Sequence, residues 1–125
     1  MKAMFCGWNN LKELKGLNNF NTSKVKNMSF MFKSCSELEY LDLSNFDTSN
    51  VRDMKFMFYG CNKLKQIKGL NNFNTNNVKN MYSMFKKCKS LESIDLSIFK
   101  TLNVFNMAKM FSNCSNLKTI NGIIR

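Results

Sequence analysis

Four of the five cysteines, Cys35, Cys61, Cys88 and Cys114, recur at near-equal intervals. By type and spacing they come closest to a reactive constellation. Thiolates can close a disulfide, hold a metal or act as nucleophiles. Structural units stacked roughly 4.8 Å apart would bring equivalent cysteines within the Cα separation a disulfide tolerates. A metal centre has less in its favour, because the chain contains no histidine and no Cys-x-x-Cys pair. Each of the four cysteines also directly follows an apolar segment, and an unoxidised cysteine is a small hydrophobe that packs readily in a core. A buried ladder of free thiols is the preferred reading, with inter-unit disulfides as the alternative. Cys6 stands outside the column, aligned with Lys33 and Lys86, and is expected to be the exposed, reactive thiol. Catalysis finds less still. With no histidine and only eight carboxylates, most of them aligned with lysines, the acid, base and nucleophile roles go unfilled. The sequence therefore predicts a protein that is not an enzyme and uses no cofactor or metal.

The cysteine interval belongs to a repeat of the whole chain. Met-Phe occurs at Met4-Phe5, Met31-Phe32, Met57-Phe58, Met84-Phe85 and Met110-Phe111, with intervals that alternate between 27 and 26 residues. A fixed period in this range marks units that cannot bury an apolar face alone and must stack to share a core. About five units fill a single domain spanning 1–125. Each unit has three parts. The first is Leu38-x-x-Leu41-x-Leu43, with its equivalents at Leu64, Leu91 and Leu117; its period of two suits a short strand. Next comes Phe46-x-Thr48-x-x-Val51, matched from Phe20, Phe73 and Phe99, and read as a turn-rich arc whose threonines bond the backbone of the turn. The third begins with Asn27, Asp53, Asn80 or Asn106, followed by Met-x-x-Met-Phe. Apolar residues at i, i+3 and i+4 behind a good N-cap predict a helix of about two turns. Methionines and phenylalanines that share the phase of the leucines read as core, not as a cofactor pocket. Tyr40, Tyr59 and Tyr82 form no column, so no repeating aromatic platform is expected.

One residue explains the alternating interval. Leu41-Asp42-Leu43 and Ile94-Asp95-Leu96 become Leu14-Lys15-Gly16-Leu17 and Ile67-Lys68-Gly69-Leu70 in the intervening units, and Ile120-Asn121-Gly122-Ile123 follows the longer form. An inserted glycine in a strand suggests a bulge, and the true structural period becomes two repeats. Met1 falls in the column of Met28, Met54, Met81 and Met107, so both ends are expected to be cuts through a longer array, with Trp8 in the cysteine column partly sealing the first unit. No apolar run approaches the ~18 residues of a membrane span, and no stretch of signal-peptide character follows Lys2.

The string Phe46-Asp47-Thr48-Ser49-Asn50-Val51-x-x-Met54-x-x-Met57-Phe58-x-x-Cys61-x-x-Leu64 resembles the repeat of BspA-like leucine-rich-repeat surface proteins, found among bacterial surface lipoproteins and adhesin-like proteins. The likeness extends over nearly the whole chain. It implies an α/β repeat fold: a right-handed, leucine-rich-repeat-like solenoid with a parallel β-sheet on one face and short helices on the other. It further implies a location at the cell surface or outside the cell, where the protein would bind host, matrix or neighbouring-cell proteins. No signal peptide or lipid-attachment cysteine is visible in this chain.

Charge divides the surface. Three polar columns flank the strands: Lys12, Glu39, Lys65, Glu92, Lys118; then Glu13, Tyr40, Gln66, Ser93, Thr119; then Lys15, Asp42, Lys68, Asp95, Asn121. Two of them alternate in sign, and parallel strands in register would place the opposite charges side by side, each pair contributing about 0.2–1 kcal/mol. These columns sum to neutrality, so the whole net charge of +11 lies on the turns and expected helices. The neutral face, through Glu13, Tyr40, Gln66, Ser93 and Thr119, is the candidate surface for a protein partner. Tyr40 is either its anchor or a cover over neighbouring strands. The basic side, through Lys24, Lys26, Lys79, Lys86 and Lys87, offers an alternative: binding of nucleic acid or acidic glycans. Lysine greatly outnumbers arginine, the better bidentate phosphate reader, and abundant Lys and Asn also fit AT-rich codon usage. A passive spacer within a surface protein is the remaining alternative, and the open repeat ends are expected to allow self-association.

Overall fold

The computed structural model describes residues 1–123. Its regular elements are short: strands β1 (Tyr40–Asp42), β2 (Gln66–Lys68), β3 (Ser93–Leu96) and β4 (Thr119–Gly122), with 3-10 helices η1 (Leu17–Asn19) and η2 (Leu70–Asn72). β1 pairs in parallel with β2, and β3 with β4. The register joins equivalent repeat positions, Tyr40 to Gln66, Asp42 to Lys68 and Ser93 to Thr119. A second line of parallel bridges runs through Asn27, Asp53, Asn80 and Asn106. The sheet expected along one face is therefore divided into two pairs, with β2 and β3 unpaired to each other.

The expected short helices do not form: among the described residues, the Met-x-x-Met-Phe segments are successions of turns. Their backbone bonds explain why. The N–H groups of Met31 and Cys35 close turns onto Met28 and Phe32 carbonyls at 3.3 and 3.2 Å. The intervening N–H groups of Phe30, Phe32 and Ser34 leave the unit and donate to Lys55, Met57 and Tyr59 at 3.0, 2.9 and 2.6 Å. The third residues of the turns, Phe30 and Ser34, both have φ of 61°, and the equivalent positions in later units include Phe56, Gly60, Ser83 and Lys87. A positive φ at the third position is a turn signature incompatible with continuous helix. Turns repeated every four residues still bury Met28, Met31, Phe32 and Cys35, which is the i, i+3, i+4, i+7 pattern of a helix face. The presumed N-caps act locally instead. The side-chain oxygens of Asn27, Asp53, Asn80 and Asn106 accept the N–H two residues on, at 2.8–3.0 Å, as Asx turns.

Side chains of one column then meet across units. Phe5, Phe32, Phe58, Phe85 and Phe111 stack in sequence with centroids 5.2–5.7 Å apart. Stacking of this kind adds about 0.5–1.5 kcal/mol per pair beyond burial. Phe46, Phe73 and Phe99 are buried, whereas Phe20 in the first unit is half-exposed. The hydroxyls of Thr22, Thr48 and Thr75 bond the backbone of the next unit, where the sequence predicts bonds within the turn. Thr48 Oγ1 donates to the Asn74 carbonyl at 3.1 Å and accepts the Asn74 N–H at 2.8 Å, and Thr22 and Thr75 do the same with Asp47 and Lys100.

The inserted glycines seat one unit on another. Gly69 has φ +98°, and a Cβ there would lie 2.5 Å from Ser44 N and 2.7 Å from the Leu43 carbonyl carbon. Gly122 meets the Leu96–Ser97 backbone as closely, at 2.4 Å. Each longer unit thus closes tightly onto the shorter unit before it, matching the β1·β2 and β3·β4 pairings. Gly16 has φ +85°, but a Cβ would meet only Asn19 Nδ2, at 3.9 Å. In urea unfolding, Gly69→Ala is expected to lose about 1–3 kcal/mol more than Gly16→Ala, because both suffer the left-handed backbone but only the former overpacks. Equal losses would contradict the seating of Gly69 on Ser44.

Candidate functional site

Glu13, Tyr40, Gln66, Ser93 and Thr119 are all exposed, and the structure brings them together as neighbours in two groups. Glu13 bridges to Tyr40 and Tyr40 pairs with Gln66, while Ser93 pairs with Thr119. Between the groups the chain leaves β2 through Gly69 into η2, and β3 pairs only onward, with β4. A cleft of about 610 Å³ opens at this seam, with Tyr40, Gln66, Lys68, Ser93, Ile94 and Asp95 in its wall. A smaller one of about 170 Å³ lies over β1, with Glu13, Leu14, Asp42 and Lys68 in its wall. Tyr40, half-exposed at 50%, lines both. The sequence carried the signal for this seam in the alternation of 26 and 27 residues, but not the consequence that two strands would part.

The charged columns are adjacent as expected where strands pair. Lys65 lies 3.6 Å from Glu39, and Asp42 stands in register with Lys68. The Asp42 carboxyl is held below its ordinary range chiefly by the Ser44 hydroxyl and N–H, then by Lys68. Asp47 and Asp95 are lowered in the same way by Ser49 and Ser97. Depressed carboxylates contribute stability that is present above their unfolded values and lost as pH falls through the folded ones. All three are solvent-exposed, so the contribution is modest. The shortest ion pair among the described residues, Lys63 to Glu37 at 2.8 Å, escaped sequence reading although both residues occupy one column a unit apart.

Among Lys24, Lys26, Lys79, Lys86 and Lys87, only Lys26 and Lys79 share a column. Lys26, Arg52 and Lys79 line up on successive units, since the Arg52 N–H donates to the Lys26 carbonyl and the Lys79 N–H to that of Arg52, both at 2.8 Å. Lys24 falls in the column of Asn50, Asn77 and Asn103, the last three of which donate side-chain N–H to carbonyls of the preceding unit at 2.6–2.7 Å. Lys86 and Lys87 lie elsewhere, over the Tyr59 ring. Aromatic residues missed as a group do meet: Phe30 stacks on Phe56 at 5.0 Å, with Tyr59 and Tyr82 edge-on to Phe56. The alignment of Phe30 with Phe56 was the available signal.

The cysteine column is a ladder of free thiols. Each Sγ donates to the carbonyl of the Met-Phe phenylalanine one unit earlier, Cys35 to Phe5, Cys61 to Phe32, Cys88 to Phe58 and Cys114 to Phe85, at 3.0–3.2 Å. Burial pushes Cys35 up to about 11 and raises Cys61 and Cys88 as well, which keeps these sulfurs as unreactive thiols. Cys6 is exposed. Iodoacetamide under native conditions is expected to place one adduct, on Cys6, with Cys61 and Cys88 labelled only after unfolding, as read by peptide mass spectrometry. Native labelling of Cys61 at the Cys6 rate would contradict the buried ladder.

No curated protein and no solved structure matches the chain. A family signature does match, over residues 1–69 and again over 41–122, so that the two overlapping matches together span nearly all of the repeat. The chain belongs to the family described as Mycoplasma protein of unknown function, DUF285.

Proposed function

We propose that the chain is a non-enzymatic, protein-binding adhesion module of a bacterial surface protein, built as a BspA-like, leucine-rich-repeat-type right-handed solenoid and recognising its partner through the exposed strand face. The observation that carries this reading is Tyr40, half-exposed on a polar surface and shared by two adjoining clefts. Interface hot spots are enriched in aromatic anchors set among polar contacts, and a cleft beside the anchor gives a partner side chain somewhere to enter. The paired charges Lys65–Glu39 and Asp42–Lys68 leave this face without strong net attraction for a polyanion. Partner specificity then rests on graded polar contacts from Glu13, Gln66, Ser93 and Thr119.

A second reading is favoured by the Lys26–Arg52–Lys79 column, in which three exposed cations, without an ion pair among the described residues, are available to acidic polymers. Binding to immobilised matrix and cell-surface proteins separates the two. Tyr40→Ala with Gln66→Ala is expected to weaken a protein partner about 30-fold, a loss of about 2 kcal/mol, with an unchanged melting temperature. Neutralising Lys24, Lys26 and Lys79 should alter association rate and salt dependence only. Binding lost solely with the lysine set, with a steep salt slope, would overturn the strand-face reading. Failure to bind any surface component would favour a spacer.

A further inference from the structure

A second surface, independent of the strand face, is built from three successive turn arcs. Lys33, Tyr59 and Lys86 share one column, and the bonds Ser34 N–H to Tyr59 O at 2.6 Å and Gly60 N–H to Lys86 O at 2.8 Å fix the three arcs side by side. The Lys33, Lys86 and Lys87 ammonium groups lie 5.5, 6.0 and 5.5 Å from the Tyr59 ring centroid. Lys33 also sits 5.4 Å from Phe30 and 6.0 Å from Phe56. All three lysines are half-buried, so they fold down onto the aromatic floor instead of spreading into solvent.

No carboxylate forms an ion pair with these three among the described residues; the nearest pairing is Asp53 with Lys55, at 4.0 Å. Three like charges around one phenol repel one another. The Tyr59 hydroxyl registers them: the Lys87 ammonium beside it lowers its pKa first, and Lys86 and Lys33 add to the effect.

We propose that Lys33, Lys86, Lys87 and the Tyr59 hydroxyl bind a sulfate-ester group of a sulfated polysaccharide. A sulfate ester is compact, permanently charged, and presents three acceptor oxygens to donors converging from different arcs. Lysines, acting as point charges on flexible stems, suit such a group better than they suit a planar carboxylate, for which the arginine fork is the natural partner. Single-stranded nucleic acid fits less well. Its bases need open aromatic faces, whereas Phe30 and Phe56 stack on each other at 5.0 Å and 14° and Lys33 lies over both rings. The Lys26–Arg52–Lys79 column supplies further positive charge along the stack for a chain that repeats its sulfates.

The test is calorimetric titration of the whole chain with a heparin-derived hexasaccharide, its desulfated counterpart, single-stranded DNA and polyglutamate. Lys33→Gln with Lys86→Gln is expected to weaken hexasaccharide binding at least about tenfold, and Tyr59→Phe, which keeps the ring and removes one hydrogen bond, about threefold to tenfold. Lys24→Gln, Lys26→Gln and Lys79→Gln together should cost less than either. A spectroscopic readout on the unmodified protein complements the binding losses, with Tyr59→Phe used only to assign the Tyr59 signal. Bound sulfate neutralises the lysines, so the Tyr59 component of the absorbance titration, assigned by difference from Tyr59→Phe, should move to higher pH. An unmoved Tyr59, or equal binding of the desulfated sugar, DNA or polyglutamate, would overturn the proposal. So would a loss that merely tracks the number of lysines removed.

Discussion

Every second backbone N–H in the turn arcs has no acceptor within its own unit, and the rest of the structure follows from this. Phe56, Phe58 and Gly60 donate to Tyr82, Met84 and Lys86 of the next arc, as Phe30, Phe32 and Ser34 donate to the arc before that. A buried amide without a partner costs on the order of 1–3 kcal/mol, so an arc of this shape is satisfied only beside another arc in one register. That register then dictates the side chains. Phenylalanine rings must stack on their equivalents, threonine hydroxyls must reach the next backbone, and thiols must point at the preceding Phe carbonyl. Each column is a consequence of the ladder and in turn seals it from water.

The strand side is held more loosely than the arcs. Beyond the single Glu13–Tyr40 bridge its strands pair in twos, and Gly69 and Gly122 of the longer units fit closely onto the shorter unit before them. The arcs of the same two units remain fully bonded where β2 and β3 part. The fold is thus secured on the arc side, and the strand edges and Tyr40 lie where the bonding is sparser. Gly69 is a packing device that also stands in the wall of the cleft.

Much of this was legible in the residues. The repeat, the buried Phe, Met and Cys columns, the exposed Cys6 and the adjacency of Glu39 to Lys65 all follow from period and alignment. The spacing of Met28, Met31, Phe32 and Cys35 predicts a helix because it is the same in four-residue turns as in a helix. Only the backbone φ at Phe30 and Ser34 distinguishes them, and neither residue type advertises a left-handed conformation; Gly7 and Gly60, in the column of Ser34, were the faint signal. The Lys33–Tyr59–Lys86 grouping was hidden for another reason. Lys33 and Lys86 were already aligned with Cys6, but Tyr59 differs from them in type, so a search for repeated residues passes over its place between the two lysines. The sign alternation beside the strands was visible, but the parting of β2 and β3 depends on how one glycine packs, and spacing alone does not specify that.

Whether the arcs are helices or inter-unit ladders can be read from a single nucleus. Scalar coupling across hydrogen bonds, measured in isotope-labelled protein, identifies which carbonyl accepts each amide. The Phe58 nitrogen is predicted to couple to the carbonyl carbon of Met84, matching the 2.8 Å bond between adjacent arcs. Coupling of Phe58 to the carbonyl of Met54, its i−4 neighbour, would mean a helix and would contradict the ladder on which the fold and both proposed surfaces depend.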